Sequence, residues 1–168
     1  MADNSPIYHT HNNVITPARY RWADNEITYK IVAPTNYYQA IWKVSIAQWN
    51  SLGVVQLTVA GDSTPDITLG VSNGSNPNHT GLTTLSYKTS SANGTGLIKF
   101  KSANSVIYQN VCQNNHYSSI EQLHVAEHEL GHALGLTHSS SPTSIMYPQT
   151  KDNSISTADA EGLAEAYQ

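Results

Sequence analysis

The sequence predicts a single α+β domain over residues 1–168. Its length is typical of one domain and is sufficient for a hydrophobic core without disulfide bonds. Strand-like segments and one helix-like segment occupy the first two thirds of the chain. Two segments with helical spacing come last, so strands and helices are largely segregated along the sequence.

Composition excludes several classes of function. Charged residues make up 12% of the chain and the net charge is −4, without a basic run, so we expect no nucleic-acid or anionic-membrane partner. No apolar stretch approaches the ~18 residues of a membrane span. The single cysteine, Cys112, excludes an intramolecular disulfide and is interpreted as a structural thiol. The polar segment Met1–Pro6 has no signal-peptide pattern.

The first half of the chain begins with polar residues 1–18, which predict an irregular N-terminal arm. Alternating, β-rich residues predict a strand at Glu26–Val32. Apolar residues at helical spacing then predict a helix over Asn36–Ser51, which Gly53 follows as a stop signal. Two further strands are predicted at Val54–Val59 and Ile67–Val71, with a Gly-Asp-Ser-Thr-Pro turn between them.

A loop rich in Gly, Asn, Ser and Pro is predicted over residues 72–81. Leu82–Tyr87 and Gly96–Lys101 are short strand candidates, and their link Lys88–Thr95 contains an Asn-Gly turn signal. We interpret Ser102–Ser118 as a long polar connection without regular structure.

The pattern becomes helical at Ile120–Leu134, and Gly135 is well placed to end that helix. Residues 139–155 are expected to be irregular. A capping-box-like start at Ser156 predicts a last helix that runs to Tyr167.

Three of the eight histidines lie within one short segment and predict a metal site. On a helix, His128 and His132 point the same way one turn apart, so both reach one Zn²⁺. Gly135 lets the chain turn back and return His138 to the metal. Three imidazoles leave one coordination position open, as in catalytic zinc sites. Glu129, rotated by one residue, flanks the metal and is the candidate general base for a zinc-bound water that attacks a peptide carbonyl.

Two other interpretations remain at this point. The histidines could be exposed helix residues with Glu129 on a solvated face. Alternatively, the reversed pattern HxxEH would use His124 and His128 as ligands and Glu127 as base, which leaves His132 and His138 unexplained.

The segment Val125–Ser139 (VAEHELGHALGLTHS) resembles the matrixins, the matrix-metalloproteinase branch of the metzincin zinc endopeptidases. Ser139 directly after the third His is the feature of that branch. Ser144–Pro148 (SIMYP) resembles the metzincin Met-turn, which would place Met146 beneath the ligands as an apolar floor. Weaker likenesses in Trp22, Ile27–Ile31, Pro65–Leu69 and Ile155–Tyr167 extend the resemblance over residues ~20–167 in the family's order.

The resemblance implies a zincin-like fold: a twisted, mostly parallel five-stranded sheet with one antiparallel edge strand and three helices. An upper subdomain would span about 19–138, and a small lower subdomain about 139–168 would hold the Met-turn and the last helix. The edge strand near Leu82–Tyr87 would pair with extended substrate. Asp159 would be buried and hydrogen-bonded to the Met-turn backbone.

The resemblance also implies the activity and its setting: a secreted, extracellular zinc endopeptidase that cleaves extended polypeptides and carries one catalytic Zn²⁺. The strand candidates Leu82–Tyr87 and Gly96–Lys101 lack the His and acidic ligands of the family's structural zinc, so we predict no structural zinc and have no basis for calcium sites. A propeptide or a protein inhibitor, neither present in this chain, would be a further partner. His124, Tyr147 and Pro148 fall where the family forms the S1′ pocket. The alternatives are a metzincin of another branch or one that acts on a narrow set of peptides, and a catalytically silent zinc-binding or adhesive module.

Overall fold

Eight strands and four helices are present in the computed structural model, which describes residues 8–11, 14–17, 20–88, 98–149 and 151–167. The elements in chain order are β1 (Tyr8–His11), β2 (Val14–Pro17), β3 (Tyr20–Arg21), β4 (Glu26–Val32), α1 (Asn36–Asn50), β5 (Gln56–Val59), β6 (Ile67–Ser72), β7 (Gly81–Tyr87), β8 (Ile98–Tyr108), α2 (Gln109–Asn114), α3 (Ser119–Leu134) and α4 (Thr157–Ala166).

The central sheet has the strand order β5-β4-β6-β8-β7. Its first four strands are parallel, and β7 is an antiparallel edge strand whose register runs from Gly81 opposite Ile107 to Tyr87 opposite Phe100. The short strand β3 adds a parallel pair at the start of β8. This architecture confirms the predicted five-stranded, mostly parallel sheet with one antiparallel edge strand.

The predicted irregular arm over residues 1–18 is wrong for its described part, because β1 and β2 form an antiparallel pair. Val14, Ile15 and Thr16 are β-branched and favour a strand, a signal that the polar composition of the segment obscured.

The predicted polar connection Ser102–Ser118 is also wrong. Strand β8 continues to Tyr108 and is followed by the short helix α2, a fourth helix that the sequence did not predict. Within β8 the side chains of Ala103, Ser105 and Ile107 are buried, which is the period-two pattern of a strand. Two of these three residues, Ala103 and Ser105, are small or polar, which obscured the strand pattern in the sequence. Gly96, Leu97 and residues 89–95 of the predicted link lie outside the described residues.

Helix α1 covers one face of the sheet and fixes the position of α3. It begins at the predicted place, where Thr35 accepts a hydrogen bond from the backbone of Tyr38, and ends one residue earlier than predicted. The indoles of Trp42 and Trp49 are fully buried. The Trp42 Nε1–H donates to the carbonyl of Gly70 in β6, and the Trp49 Nε1–H donates to the carbonyl of Glu127 in α3, both at 3.1 Å.

Helix α3 has well-defined ends: it begins one residue before the predicted Ile120 and ends at Leu134, as the sequence predicts. At its start, Ser118 and Glu121 form a reciprocal capping box. At its end, Gly135 has φ of 115°, a left-handed conformation that favours glycine. The Leu136 N–H bonds the carbonyl of Gly131 and the Gly135 N–H bonds that of His132, each at 3.0 Å, which is a Schellman motif.

The chain after the third histidine contains α4 and, among its described residues, no strand. Ser156 caps α4 in a box with Asp159, as its sequence predicts. The buried apolar residues Leu163 and Ala166 of α4 join the same core cluster as α1, α3 and the sheet. None of the helices in the described ranges has the length and apolarity that a membrane crossing requires.

Candidate metal centre

The imidazoles of His128, His132 and His138 converge on one point. One nitrogen from each ring lies within 4.8 Å of the others, and the three residues form a group that could hold a metal ion. The ring centroids are 4.8 to 5.2 Å apart. Helix α3 supplies the first two rings and the Gly135 turn supplies the third, as the sequence pattern predicts. No other group of three potential ligands occurs among the described residues.

Backbone carbonyls accept hydrogen bonds from the Nδ1 atoms of two of these rings, which leaves Nε2 available to a metal ion. The Nδ1 of His128 lies 2.6 Å from the carbonyl oxygen of Ile145, and the Nδ1 of His132 lies 2.8 Å from that of Leu136. A carbonyl only accepts, so Nδ1 carries the proton in both rings and Nε2 keeps its lone pair. Both tautomers therefore leave Nε2 free to coordinate a metal ion.

Burial keeps the first two imidazoles neutral. It lowers the pKa of His128 to about 4, against the smaller opposing effect of the Ile145 hydrogen bond. Burial, together with the neighbouring histidines, lowers the pKa of His132 well below its usual value. A neutral imidazole is the form that binds a cation, so these rings are ready to ligate at neutral pH without losing a proton.

The buried carboxylate of Asp159 supports His128 through the Met-turn. It accepts hydrogen bonds from the Ile145 backbone N–H at 3.0 Å, from the Ser144 hydroxyl, and from the N–H and hydroxyl of Ser156. The Ile145 peptide thus joins Asp159 on one side to His128 on the other. The predicted role of Asp159 as a buried partner of the Met-turn backbone is confirmed.

Met146 is fully buried against the ligand helix. A Cβ added at Gly131 would lie 2.5 Å from the Met146 sulfur, so the thioether packs directly on the backbone between His128 and His132. The Ser139 N–H donates to the Met146 carbonyl at 2.9 Å and ties the turn to the segment after the third ligand. Glycine at position 131 leaves the room that this contact requires.

Glu129 is 7% exposed, and its carboxylate lies beside the edge strand β7. The Thr83 hydroxyl lies 3.0 Å from its Oε1, and a Cβ added at Gly81 would lie 3.1 Å from its Oε2. Burial raises the pKa of Glu129 to about 7, and the Thr83 hydrogen bond opposes that rise. A carboxyl group with a pKa near 7 can take and return a proton at neutral pH.

The remaining predicted residues lie around this centre in different ways. His124 is not in the ligand cluster; its Nδ1 lies 2.6 Å from the Lys151 carbonyl, in the segment between Met146 and α4. The reversed HxxEH pattern is therefore wrong as a ligand set. Tyr147 is partly buried and Pro148 is exposed, both directly after the Met-turn.

The sequence reasoning missed the two hydroxyls that contact Glu129, those of Thr83 and Ser105. Hydroxyl residues are common in strands, and nothing in the sequence relates residues 83 and 105 to position 129. Their facing positions in the register of β7 and β8 bring them together.

The structure has a metzincin-type centre. It combines a helix with two histidines and an adjacent acid, a third histidine after a glycine turn, and a turn with a buried methionine. The sequence profile of the matrixin family matches residues 21–168, and the chain belongs to that family of zinc metalloendopeptidases.

Individual relatives agree with this assignment. The chain is 46% identical to matrilysin of Rattus norvegicus over 55 residues, which is 30% of this chain and 21% of that protein. It is 44% identical to neutrophil collagenase of Homo sapiens over 48 residues, 26% of this chain and 10% of that protein. It is 25% identical to metalloendoproteinase 1-MMP of Arabidopsis thaliana over 163 residues, 88% of this chain. The chain covers less than half of each relative, and 44% of the plant protein.

Proposed function

We propose that this chain is an active zinc endopeptidase that hydrolyses peptide bonds of extended polypeptides, with Glu129 as the general base. The observation that carries the proposal is the convergence of three imidazole nitrogens within 4.8 Å beside a buried carboxylate. Family membership supports the reaction class, and the geometry supports the assignment of each residue.

The residues fit Zn²⁺ and would hold it through His128, His132 and His138. Three neutral nitrogen donors suit zinc, and two of them are fixed by carbonyls that select the ligating tautomer. When bound, zinc would acidify a water molecule and polarise the substrate carbonyl. We propose a single zinc per chain.

Glu129 supplies the proton transfer. Its carboxylate takes a proton from the attacking water, stores it in a water-poor pocket, and passes it to the departing amine. Burial raises the pKa of this carboxyl in the metal-free protein, so the group holds a proton more readily than an exposed glutamate does. Burial, the cause of that pKa, comes from the packing of α3 against β7.

The substrate would lie along β7. Within the described residues β7 pairs only with β8, so its outer edge can accept an extended peptide as an additional strand. Leu82, 39% exposed, and Thr84 lie on this strand with exposed side chains. Backbone pairing would place the scissile bond at the metal without selecting a particular sequence.

We propose His124, Tyr147 and Pro148 as residues of the S1′ pocket. The hydrogen bond from His124 to the Lys151 carbonyl supports this assignment, because it ties the segment that bounds the pocket to α3. Lys151 is further held by an ion pair with Glu121 at 2.9 Å. His124→Leu would release the segment and change the preference for the residue after the scissile bond; an unchanged preference in a peptide library would refute the role of His124.

An extracellular location agrees with the relatives, and a propeptide or a protein inhibitor would be partners outside this chain. The alternative is a non-enzymatic function, that of a catalytically silent zinc-binding or adhesive module. Both functions require the metal, but only the peptidase requires Glu129.

The deciding experiment measures cleavage of a peptide library by the zinc-loaded protein. We expect cleavage that a chelator abolishes and zinc restores. Glu129→Ala should keep its zinc and lose roughly 10²- to 10⁴-fold in kcat. The control, Glu161→Ala, alters an exposed carboxylate of α4 and should cleave normally. Zinc binding without cleavage by the wild-type protein would favour the silent module.

A further inference from the structure

Two hydroxyls from adjacent strands contact the base residue Glu129. The Thr83 Oγ1 of β7 lies 3.0 Å from Glu129 Oε1, 2.8 Å from the Glu129 carbonyl oxygen and 2.8 Å from the Ser105 Oγ. The Ser105 hydroxyl of β8 is fully buried and lies 3.2 Å from the same carbonyl oxygen. Two hydroxyl protons are therefore available to two oxygens of one residue.

The number of hydroxyl protons favours one pattern of hydrogen bonds around the ionised Glu129 carboxylate. Each hydroxyl has one proton to donate. Only Thr83 reaches Oε1, whereas both hydroxyls reach the Glu129 carbonyl. Both acceptors of Glu129 are satisfied when Ser105 donates to the carbonyl and Thr83 donates to Oε1. Ser105 thereby leaves the Thr83 proton for the carboxylate.

The second carboxylate oxygen lies against a residue without a side chain. A Cβ at Gly81 would approach Glu129 Cγ to 2.9 Å and Oε2 to 3.1 Å, which is closer than ordinary contacts allow. Thr83 and Gly81 are two residues apart on β7, so their positions fall on the same face of the strand. One strand thus holds Oε1 and leaves space for Oε2.

We propose that Thr83, assisted by Ser105, is a positioning residue for Glu129: it holds Oε1 so that Oε2 is the oxygen that takes and returns the proton. This inference rests on the proposed peptidase function. Because β7 is also the proposed docking edge, the strand that aligns the substrate would also orient the base.

The test is a kinetic comparison of zinc-loaded variants on one peptide substrate. Thr83→Val keeps the branched shape of the side chain and removes the hydroxyl. We expect kcat to fall roughly 10- to 100-fold with KM changed less than about threefold, since binding of substrate does not need the hydroxyl. Zinc content and the unfolding midpoint should stay near those of the wild type.

Three further variants separate positioning from general structure. Thr83→Ser restores a hydroxyl and should recover most of kcat. Thr58→Val alters an exposed threonine of β5, at the opposite edge of the sheet, and should leave kcat unchanged. In a Glu129→Ala background, Thr83→Val should produce no further loss, because its effect acts through the Glu129 carboxylate.

The inference is refuted if Thr83→Val keeps kcat within about twofold of the wild type, if Thr83→Ser fails to recover it, or if the valine variant reduces the Glu129→Ala rate by the same factor. If Thr83→Val does not fold, Ser105→Ala takes its place, and a kcat-selective loss with full zinc content is again required. A wild-type protein without chelator-sensitive cleavage would instead refute the proposed function itself, before any variant is compared.

Discussion

Glu127 provides a quantitative test of how burial sets the charge state of this helix. Its side chain is 2% exposed, and its Oε2 finds no hydrogen-bond partner within the described residues. Burial raises its pKa from 4.5 to about 7. The perturbation is Glu127→Gln, which keeps the size of the side chain and removes the ionisable group.

The magnitude follows from the linkage between proton binding and folding. The folded and unfolded pKa values differ by roughly 2.5, and each unit corresponds to about 1.4 kcal/mol, so ionisation of Glu127 costs the fold roughly 3–4 kcal/mol. Below pH 4.5 both states hold the proton and the cost is absent. It grows as the pH rises from 4.5 to 7, because the unfolded chain then releases its proton first, and it is complete above pH 7.

The assay is denaturant unfolding of wild type and Glu127→Gln at several pH values from 4.5 to 8, in a chelator so that no cation alters the charge near residue 127. The stability of Glu127→Gln relative to wild type should rise by about 3 kcal/mol across this range. The control Glu161→Gln, on an exposed residue of α4, should show no such rise. A pH-independent difference between wild type and Glu127→Gln would refute the reasoning.

Three other substitutions or modifications probe separate parts of the site. Gly135→Ala places a residue with a Cβ at a φ of 115°, where alanine is strained. We expect the free energy of unfolding, measured by denaturant titration, to fall by roughly 1–2 kcal/mol. An unchanged unfolding midpoint would contradict this strain. Asp159→Asn weakens the hydrogen bonds from Ile145 and Ser156 and should lower the free energy of unfolding by roughly 1–3 kcal/mol, again measured with denaturant. A variant as stable as the wild type would show that Asp159 does not support the Met-turn. Burial raises the pKa of Cys112 to about 11, so its thiol should resist alkylation at pH 8 until denaturant is added; rapid labelling of the native protein would contradict its burial.

The elements that sequence reasoning predicted well are those with local signals. The ligand helix α3 has helical spacing and a glycine in the left-handed conformation at its end, and each of these depends on nearby residues only. The start of α4 at Ser156 follows the same rule, since the side chain caps its own helix. The spacing of His128, His132 and His138 depends only on this helix and the turn after it, so the sequence alone predicts it.

The features that were missed depend on contacts between distant segments. Strand β8 passes through the small and polar residues 102–105 before it reaches Tyr108, and its pairing with β6 and β7 on either side sets its buried face. The contact of Thr83 with Glu129 joins residues 46 positions apart, and that of Ser105 joins residues 24 apart. No local pattern distinguishes these hydroxyls from the many other Ser and Thr residues of the chain.

The proposed zinc binding is tested most directly by metal analysis of the purified, dialysed protein. We predict one zinc per chain in the wild type, loss of stoichiometric zinc in His132→Ala and in His138→Ala, and full retention in His79→Ala, which alters an exposed histidine outside the cluster. A wild-type protein without zinc, or a His138→Ala variant that keeps its zinc, would contradict the convergence of the three imidazoles on one ion.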